Sequence, residues 1–165
     1  MRLEQVLFSQ GFGTRHECRG YIELGRVTFD GKTIKDPDEE VRPEGKSYAV
    51  DGVSWPFFEK ALIALYKPQG YECSQKPTHH PSVMALLPSI LRARGVQPVG
   101  RLDEDTTGVL LLTDDGALTH RLTHPKKHVS KTYRVTLKHA ADPSICEKLI
   151  QGVLLVDDKE TVCAK

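Results

Sequence analysis

The stretch GRLDEDTTGVLLLTDDG, residues 100–116, restricts what this chain can fold into more than any other part of it. Its apolar run GVLLLT has the length and composition of a buried β-strand, and Asp115-Gly116 predicts the turn that ends the strand. One arginine and three acidic residues stand directly before that strand. A carboxylate beside apolar side chains is costly to bury unless a partner pairs with it. The loop is therefore a metal site, a tight turn or a place where a carboxylate does chemistry.

Residues 1–53 predict a small helix–helix–hairpin unit. Apolar residues in LEQVLFS recur at helical spacing, and Thr14 with Glu17 forms a capping box that opens a second helix. The turn dipeptide Asp30-Gly31 within RVTFDGKTI predicts a hairpin, and SYAVDGV predicts one more strand.

A flexible linker, residues 54–58, is expected to lead into a second domain, residues 59–165. There ALIALYKPQG predicts a strand, VMALLPSILRARG a helix interrupted at Pro88, and ALTHRLTH a short helix. SKTYRVTLKH alternates like a strand, DPSICEKLIQG predicts a helix, and VLLVDDKETVCAK a strand pair. This order predicts an α+β fold on a mixed or antiparallel sheet. The chain stops inside that sheet, so we expect a fragment truncated at its C-terminus.

Composition places the chain among globular proteins, with 39% hydrophobic and 27% charged residues. Its four cysteines are scattered and form no C-x-x-C pair, which argues against a structural zinc site and a disulfide scaffold. No apolar run approaches the roughly 20 residues of a membrane span, and the N-terminus has no signal-peptide core. We expect a monomeric cytoplasmic protein with reduced thiols and no membrane partner.

The net charge of +1 hides an uneven distribution. Between residues 117 and 141 there is no aspartate or glutamate, whereas this segment carries Arg121, Lys126, Lys127, Lys131, Arg134 and Lys138. Such a stripe is typical of a phosphate-binding face, although a solvated surface with a chance bias has the same composition.

Arginines also cluster in the first unit. Arg15 and Arg19 are spaced i, i+4 on one predicted helix face, and Arg26 lies just beyond the helix end. Three guanidiniums on one face can bind successive phosphates. The alternative is salt bridging to Glu17 and Glu23.

The acidic loop matches part of a calcium-binding pattern. Asp103, Asp105, Thr107, Gly108 and Asp114 fall at positions 1, 3, 5, 6 and 12 of an EF-hand loop. The context opposes that assignment, because Pro98 and Gly100 forbid a normal entering helix and VLLL reads as a strand. We therefore expect no metal. Turn chemistry explains some of the residues, and we expect Asp114 and Asp115 to be turn formers.

The first unit, MRLEQVLFSQGFGTRHECRGYIELGRVTFDGKTI, resembles the S4 RNA-binding domain. The similarity lies in the leading R-L, the T-R that opens the second helix, I-x-x-G-x-V and the hairpin around a glycine. It covers nearly all of residues 1–53 and implies RNA contact through Arg15, Arg19 and Arg26. Because this unit contains more acidic than basic residues, any RNA face must be local.

The stretch at 100–116 resembles the signature of the pseudouridine synthases, G-R-L-D-x-x-T-x-G-L-L-L-L-T-x-D-G. KPQGYECS upstream and KTYRV downstream occur in the order found in that family. The branch with an S4 domain in front modifies ribosomal RNA. KPQGYECS and HPSV are most similar to the synthases of small-subunit (16S) rRNA, and a large-subunit synthase remains an alternative.

The resemblance implies a site-specific isomerisation of uridine to pseudouridine without a cofactor, with Asp103 as the reactive carboxylate. Arg101 would position the nucleotide and Tyr133 would stack on the extruded base. Lys126, Lys127, Lys131 and Arg134 would join the arginines of the first unit in binding ribosomal RNA or a ribosomal subunit precursor. Asp103 must stay ionised in a largely dry pocket, which requires a cationic partner. In the family this partner comes from a later strand, which we expect to lie beyond residue 165.

A different class of protein also fits these patterns. An S4 domain followed by a truncated synthase domain could serve as a non-catalytic RNA-binding factor in ribosome assembly. Formation of pseudouridine separates the two hypotheses.

Overall fold

The computed structural model describes residues 1–127, 129–154 and 161–162. These residues form two compact units. From here on, the first unit means Met1–Val129 and the second unit means Ser130–Lys165. No helix in the described part of the chain is both long and apolar enough to cross a membrane. His128, Cys163 and most of the strand pair predicted from VLLVDDKETVCAK lie outside the described residues.

The first unit begins with two helices, α1 (Leu3–Ser9) and α2 (Arg15–Glu23). The predicted capping box is confirmed: the Thr14 hydroxyl accepts from the Glu17 amide, and the Glu17 carboxylate accepts from the Thr14 amide. Gly25 ends α2 with a φ of 69°, a conformation that costs glycine little. Helix α2 therefore begins and ends where local chemistry predicts.

Four antiparallel strands follow: β1 (Val27–Phe29), β2 (Lys32–Thr33), β3 (Ser47–Val50) and β4 (Val53–Pro56), in the spatial order β2-β1-β3-β4. Asp30 and Gly31 adopt φ values of 49° and 78°, as expected of the predicted hairpin turn. Strand β4 has no counterpart in the sequence-based prediction. It covers most of the segment expected to be a flexible linker, and the domain boundaries at 53 and 59 stay a prediction.

One hydrophobic core joins the two helices to this sheet. Leu3, Leu7 and Ile22 on the helices are fully buried, and Val27 on β1 is buried with them. Burying apolar side chains of this size stabilises the fold by about 1.5–3 kcal/mol each. This core holds the S4-like part together.

A second antiparallel sheet has the order β5-β7-β6, from β5 (Leu62–Lys67), β6 (Gln97–Pro98) and β7 (Gly108–Thr113). Between β5 and β6 lie a 3₁₀ turn, Val83–Leu86, and the helix α3 (Ser89–Ala93). Pro88 thus splits the predicted helix into two short pieces, because proline cannot continue an α-helix. Helix α4 (Gly116–Thr123) follows β7.

Strand β7 is buried on one face only. Leu110 and Leu112 are buried, and Leu112 belongs to a second hydrophobic core with Ala61, Leu87 and Val96, whereas Val109 is 68% exposed. The prediction of a buried strand is confirmed for one face only, because an apolar run does not reveal whether both faces of a sheet are covered.

The second unit contains α5 (Ser144–Gln151), β8 (Val153–Leu154) and β9 (Thr161–Val162). The predicted α5 is confirmed, with the Asp142 carboxylate accepting from the Ser144 amide. The strand predicted for SKTYRVTLKH is wrong, because residues 130–139 have no regular structure. Alternating polar and apolar residues would give a strand one polar and one apolar face. A strand forms, however, only where a neighbouring strand supplies the backbone hydrogen bonds. The predicted α+β class with antiparallel sheets is confirmed.

Candidate active site

The acidic loop lies between β6 and β7. Glu104 and Asp105 form a turn, closed by the Thr106 amide donating to the Asp103 carbonyl at 3.1 Å. Turn chemistry therefore accounts for Glu104, Asp105 and Thr106. The side chain of Asp103 is exposed at the start of this turn.

Lys67, a fully buried lysine at the end of β5, binds the backbone of the acidic loop. Its ammonium donates to the backbone carbonyls of Glu104 at 3.0 Å and Thr106 at 2.8 Å, and to that of Pro68 at 3.1 Å. The three donors of a lysine are thereby all used, and this is how a buried charge is tolerated. Sequence reasoning missed this residue, although it opens the motif KPQGYECS.

Two further contacts join the acidic loop to the segment after β5. The Gly70 amide donates to the Glu104 carbonyl at 2.9 Å, and the Leu102 amide donates to the Cys73 sulfur at 3.5 Å. The backbone on both sides of Asp103 is thus tied to the KPQGYECS segment. Asp103 is exposed, but its peptide chain is held firmly.

The carboxylate of Glu72 organises the loop at 72–82. It accepts hydrogen bonds from the backbone amides of Thr78, His79 and His80 at 2.8–3.1 Å. These amides, led by that of His80, hold the pKa of Glu72 below its usual range. His80 Nε2 also lies 3.6 Å from a carboxylate oxygen of Glu104. The loop at 72–82 therefore forms one wall beside the acidic loop.

The expected setting of Asp103 differs from the observed one. A dry pocket with a cationic partner was predicted, whereas the carboxylate is exposed, and no ion pair reaches it from the described residues of its own unit, 1–127 and 129. Arg101 is also exposed. The described residues thus supply the floor and one side of a site that is open to solvent.

The structure separates two residues of the EF-hand pattern. Asp114, the twelfth position of the EF-hand pattern, lies at the far end of β7 from Asp103 and forms an ion pair with Arg94 at 2.5 Å. Asp114 stands at a bend of the backbone while its carboxylate binds Arg94, whereas Asp115 caps α4 by accepting from the Ala117 and Leu118 amides. No cluster of three or more metal-ligating side chains occurs within the described part of the chain.

The basic stripe is divided between the two units. Lys126 and Lys127 lie in a 3₁₀ turn, Pro125–Lys127, of the first unit, and both are exposed. Lys131 and Arg134 are exposed in the second unit. Tyr133 belongs to that unit too, with 78% of its surface exposed. The predicted approach of Tyr133 to Asp103 stays a prediction.

Two of the three arginines near the N-terminus, Arg19 and Arg26, bind carboxylates. Arg19 binds Asp38 in a bidentate pair at 3.0–3.2 Å and also reaches Glu4. Arg26 binds Asp51 through two hydrogen bonds of 2.6 Å. The sequence-based alternative was salt bridging to Glu17 and Glu23, so the arginines are paired as that alternative expects but with other carboxylates.

The pairing lowers the pKa of Asp38, chiefly through hydrogen bonds from Arg19, and that of Asp51 through hydrogen bonds from Arg26. Arg15 is exposed, with its guanidinium 5.2 Å from the centre of the Phe8 ring. Of the three arginines, Arg15 is the one without a carboxylate partner among the described residues of the first unit.

Two family models match the chain. One, described as RNA pseudouridylate synthase, matches residues 61–162, which include the acidic loop and β7. The other, described as S4 domain, matches residues 1–45, which include α1 and α2. The order of the two domains is the order predicted from the sequence.

Similar proteins include an uncharacterized RNA pseudouridine synthase, YtzG, from Bacillus subtilis (strain 168), which is 39% identical over 100% of this chain and 69% of its own length. Ribosomal small subunit pseudouridine synthase A from Vibrio parahaemolyticus is 38% identical, with 97% and 68% covered. Ribosomal large subunit pseudouridine synthase B from Escherichia coli (strain K12) is 39% identical, with 94% and 55% covered.

A solved structure described as that of a pseudouridylate synthase has a similar fold, with a TM-score of 0.56 and 31% identity. The superposition covers 99% of this chain and 70% of that one. The chain thus spans between about half and about two thirds of the relatives that it matches.

Proposed function

Because the chain belongs to the RNA pseudouridylate synthase family, we propose that it isomerises uridine to pseudouridine in ribosomal RNA, with Asp103 as the reactive carboxylate. This assignment rests on the position of Asp103, whose side chain is exposed on a loop with an anchored backbone. Its side chain is open to a ligand, while Lys67 holds the backbone of its loop from a fully buried position. Reactive groups are effective when rigid elements hold them in place.

The reaction rearranges one nucleotide and adds no atom. The bond from ribose C1′ to N1 of uracil breaks, the free base turns, and a new bond forms from C1′ to C5. The proton on C5 is lost and N1 gains one, so no electrons are exchanged and no redox cofactor is required. Asp103 either adds to the sugar or the base, or assists the elimination that frees the base. An ionised aspartate serves each of these routes.

The target uridine must leave its stack to reach Asp103, at a cost of a few kcal/mol. Tyr133 in KTYRV is proposed to offset part of that cost by stacking on the base, a contact worth about 1–3 kcal/mol. Arg101, two residues before Asp103 and exposed, is proposed to hold a phosphate or the ribose of the same nucleotide. A cation beside the Asp103 carboxylate is proposed to come from outside the described residues.

Contact with RNA is proposed for both ends of the molecule. In the S4 domain, Arg15 is ready to bind a phosphate. Arg19 and Arg26 can exchange carboxylates for phosphates, because solvent-exposed ion pairs contribute little stability. The exposed cations of the stripe complete the set, namely Lys126, Lys127, Lys131 and Arg134.

We propose 16S rRNA, within a ribosomal subunit precursor, as the substrate. KPQGYECS and HPSV favour it, and the similar proteins include synthases named for the small and for the large subunit. On this proposal the protein acts as a monomer in the cytoplasm, where ribosomal subunits are assembled in bacteria.

The test incubates the full chain with transcripts of 16S and 23S rRNA and maps pseudouridine by carbodiimide modification and primer extension. We expect product at one 16S position. Asp103→Asn should lower the rate by more than about a thousandfold, a typical effect of removing a reactive side chain, and leave RNA affinity near wild type. Asp105→Asn is the matched control, since Asp105 is an exposed carboxylate of the same turn.

Each result of this experiment has a distinct meaning. Product on 23S rRNA alone corrects the substrate and keeps the chemistry. Tight RNA binding without product favours the non-catalytic assembly factor. Equal loss of folding and of RNA binding in the Asp103→Asn variant removes the assignment of that residue.

A further inference from the structure

Arg94, directly after α3, is buried where the S4 part meets the second sheet, with 5% of its side chain exposed. Its Nε donates to Asp114, and its Nη1 donates to Oε1 of Gln10 at 2.7 Å. Nη2 donates to the backbone carbonyls of Phe58 at 2.6 Å and Glu59 at 2.9 Å. These five residues are called the Arg94 junction. One guanidinium thus binds acceptors from three separate segments of the chain.

Further hydrogen bonds support the Arg94 junction. Gln10, at the end of α1, donates to the Phe58 carbonyl at 3.0 Å and accepts from the Phe58 amide at 3.3 Å. Asp114 accepts from the Ala61 amide at 2.8 Å. Because the side chains of Arg94 and Asp114 are largely buried and Gln10 and Phe58 are bonded to each other twice, this network favours one geometry.

A second contact between the same parts does not depend on Arg94. Gly11 has a φ of +90°, and a Cβ atom built there would lie 2.2 Å from the carbonyl oxygen of Ile90 on α3. No side chain fits that space, so backbone meets backbone. The S4 part therefore rests directly on α3.

Strand β7 connects the Arg94 junction to the candidate active site. It runs from the acidic loop to Asp114, and its six residues span about 20 Å at the usual rise of a strand. Lys67 holds the loop at one end and Arg94 holds Asp114 at the other. Strand β7, held at both ends, thus connects the S4 domain to the loop that carries Asp103.

We propose that Arg94 is a positioning residue that fixes the S4 domain relative to Asp103 and thereby determines which uridine of a bound RNA reaches that carboxylate. The proposal rests on the proposed function. If the S4 domain and the site at Asp103 are held at a fixed separation, only a uridine at the matching distance from the RNA segment bound by the S4 domain can enter the site. If the two parts are loosened, other uridines come within reach and the advantage of simultaneous binding shrinks.

The first experiment tests the junction without requiring activity. Thermal unfolding of the full chain is followed by fluorescence of Trp55, the single tryptophan, and by hydrogen exchange of the β7 amides. In the wild type we expect the two transitions to coincide. In Gln10→Ala and Gly11→Ala we expect the Trp55 transition to fall about 4–8 °C below that of β7. Gln10→Glu keeps an acceptor for Arg94 and should restore coincidence.

Gly45→Ala is the matched control for Gly11→Ala. Gly45 also has a positive φ, 70°, but a Cβ there meets nothing within 4 Å. It therefore introduces backbone strain without touching α3. We expect its two transitions to stay coincident.

The second experiment tests the positioning role with the 16S transcript. Gln10→Ala and Gly11→Ala should lower the affinity about tenfold, modify uridines near the wild-type position and keep the rate at saturating RNA. Gly45→Ala should match the wild type. Unchanged site choice and affinity in the junction variants, or an activity loss that only follows their melting temperatures, would overturn the proposal. If the wild-type protein yields no product on 16S or 23S rRNA, the proposed function fails. Coincident unfolding transitions in every variant would also refute the claim that the Arg94 junction couples the S4 domain to β7.

Discussion

Replacing Lys67 by methionine tests what holds the acidic loop in place. Methionine has nearly the length of lysine and fills the same space, but it removes the charge and all three donors. The carbonyl of Glu104 keeps one donor, the Gly70 amide at 2.9 Å. The carbonyls of Pro68 and Thr106 lose the lysine bonds of 3.1 Å and 2.8 Å.

The expected loss of stability follows from these contacts. A buried acceptor left without a donor costs about 1–3 kcal/mol, so the carbonyls of Pro68 and Thr106, which belong to half-buried residues, together cost at most about 2–6 kcal/mol. Removing the ammonium also removes the cost of burying it, which lowers the total. We expect Lys67→Met to reduce the free energy of unfolding by about 2–4 kcal/mol. A domain with a stability of roughly 5–15 kcal/mol still folds after such a loss.

Urea unfolding followed by far-UV circular dichroism measures this change as a shift of the midpoint at constant slope. Lys60→Met is the matched control, because Lys60 is an exposed lysine just before β5, and its replacement should change stability by less than about 0.5 kcal/mol. Hydrogen exchange at Thr106 should quicken in Lys67→Met alone. Equal midpoints for the two variants would refute the view that Lys67 anchors the loop.

Two further outcomes are expected from groups with shifted pKa values. Amides bound to the Glu72 carboxylate lower its pKa, so the order of the loop at 72–82 should persist above the ordinary glutamate range, roughly 4.3, and be lost as the pH falls through the lower folded value. Hydrogen exchange at His79 and His80 measures this, and Glu72→Gln should abolish the pH dependence. Burial raises the pKa of Cys18 to about 11, so at pH 8 it should react with iodoacetamide about a hundredfold more slowly than exposed Cys146, read by peptide mass spectrometry. Equal labelling of both cysteines would contradict the buried position.

Local chemistry made much of the fold predictable. Thr14 and Glu17 satisfy the first amides of α2, and Asp30-Gly31 adopts the positive φ values of a hairpin turn. Such features depend on residues only a few positions apart, so the sequence displays them directly. The family and its reaction were predictable too, because the motif around Asp103 is contiguous, and the family match confirms that prediction.

The errors have a common cause, which is that neighbours in space are not visible in the chain order. SKTYRVTLKH has strand alternation without forming a ladder, and Val109 on β7 is exposed although it belongs to an apolar run. Propensity and pattern state what a segment can do. Whether it does so depends on a partner strand or a covering layer.

The sequence by itself determined the two domains' order, the helix ends, the hairpin turn and the presence of an aspartate before an apolar strand. Only the tertiary structure decided that Lys67 anchors the loop of that aspartate and that Arg94 joins Gln10 to Asp114. Gln10 and Arg94 are 84 positions apart, and their hydrogen bond exists only because two cores bring α1 and α3 together. Buried polar side chains take whatever partners packing provides, and packing is a property of the whole chain.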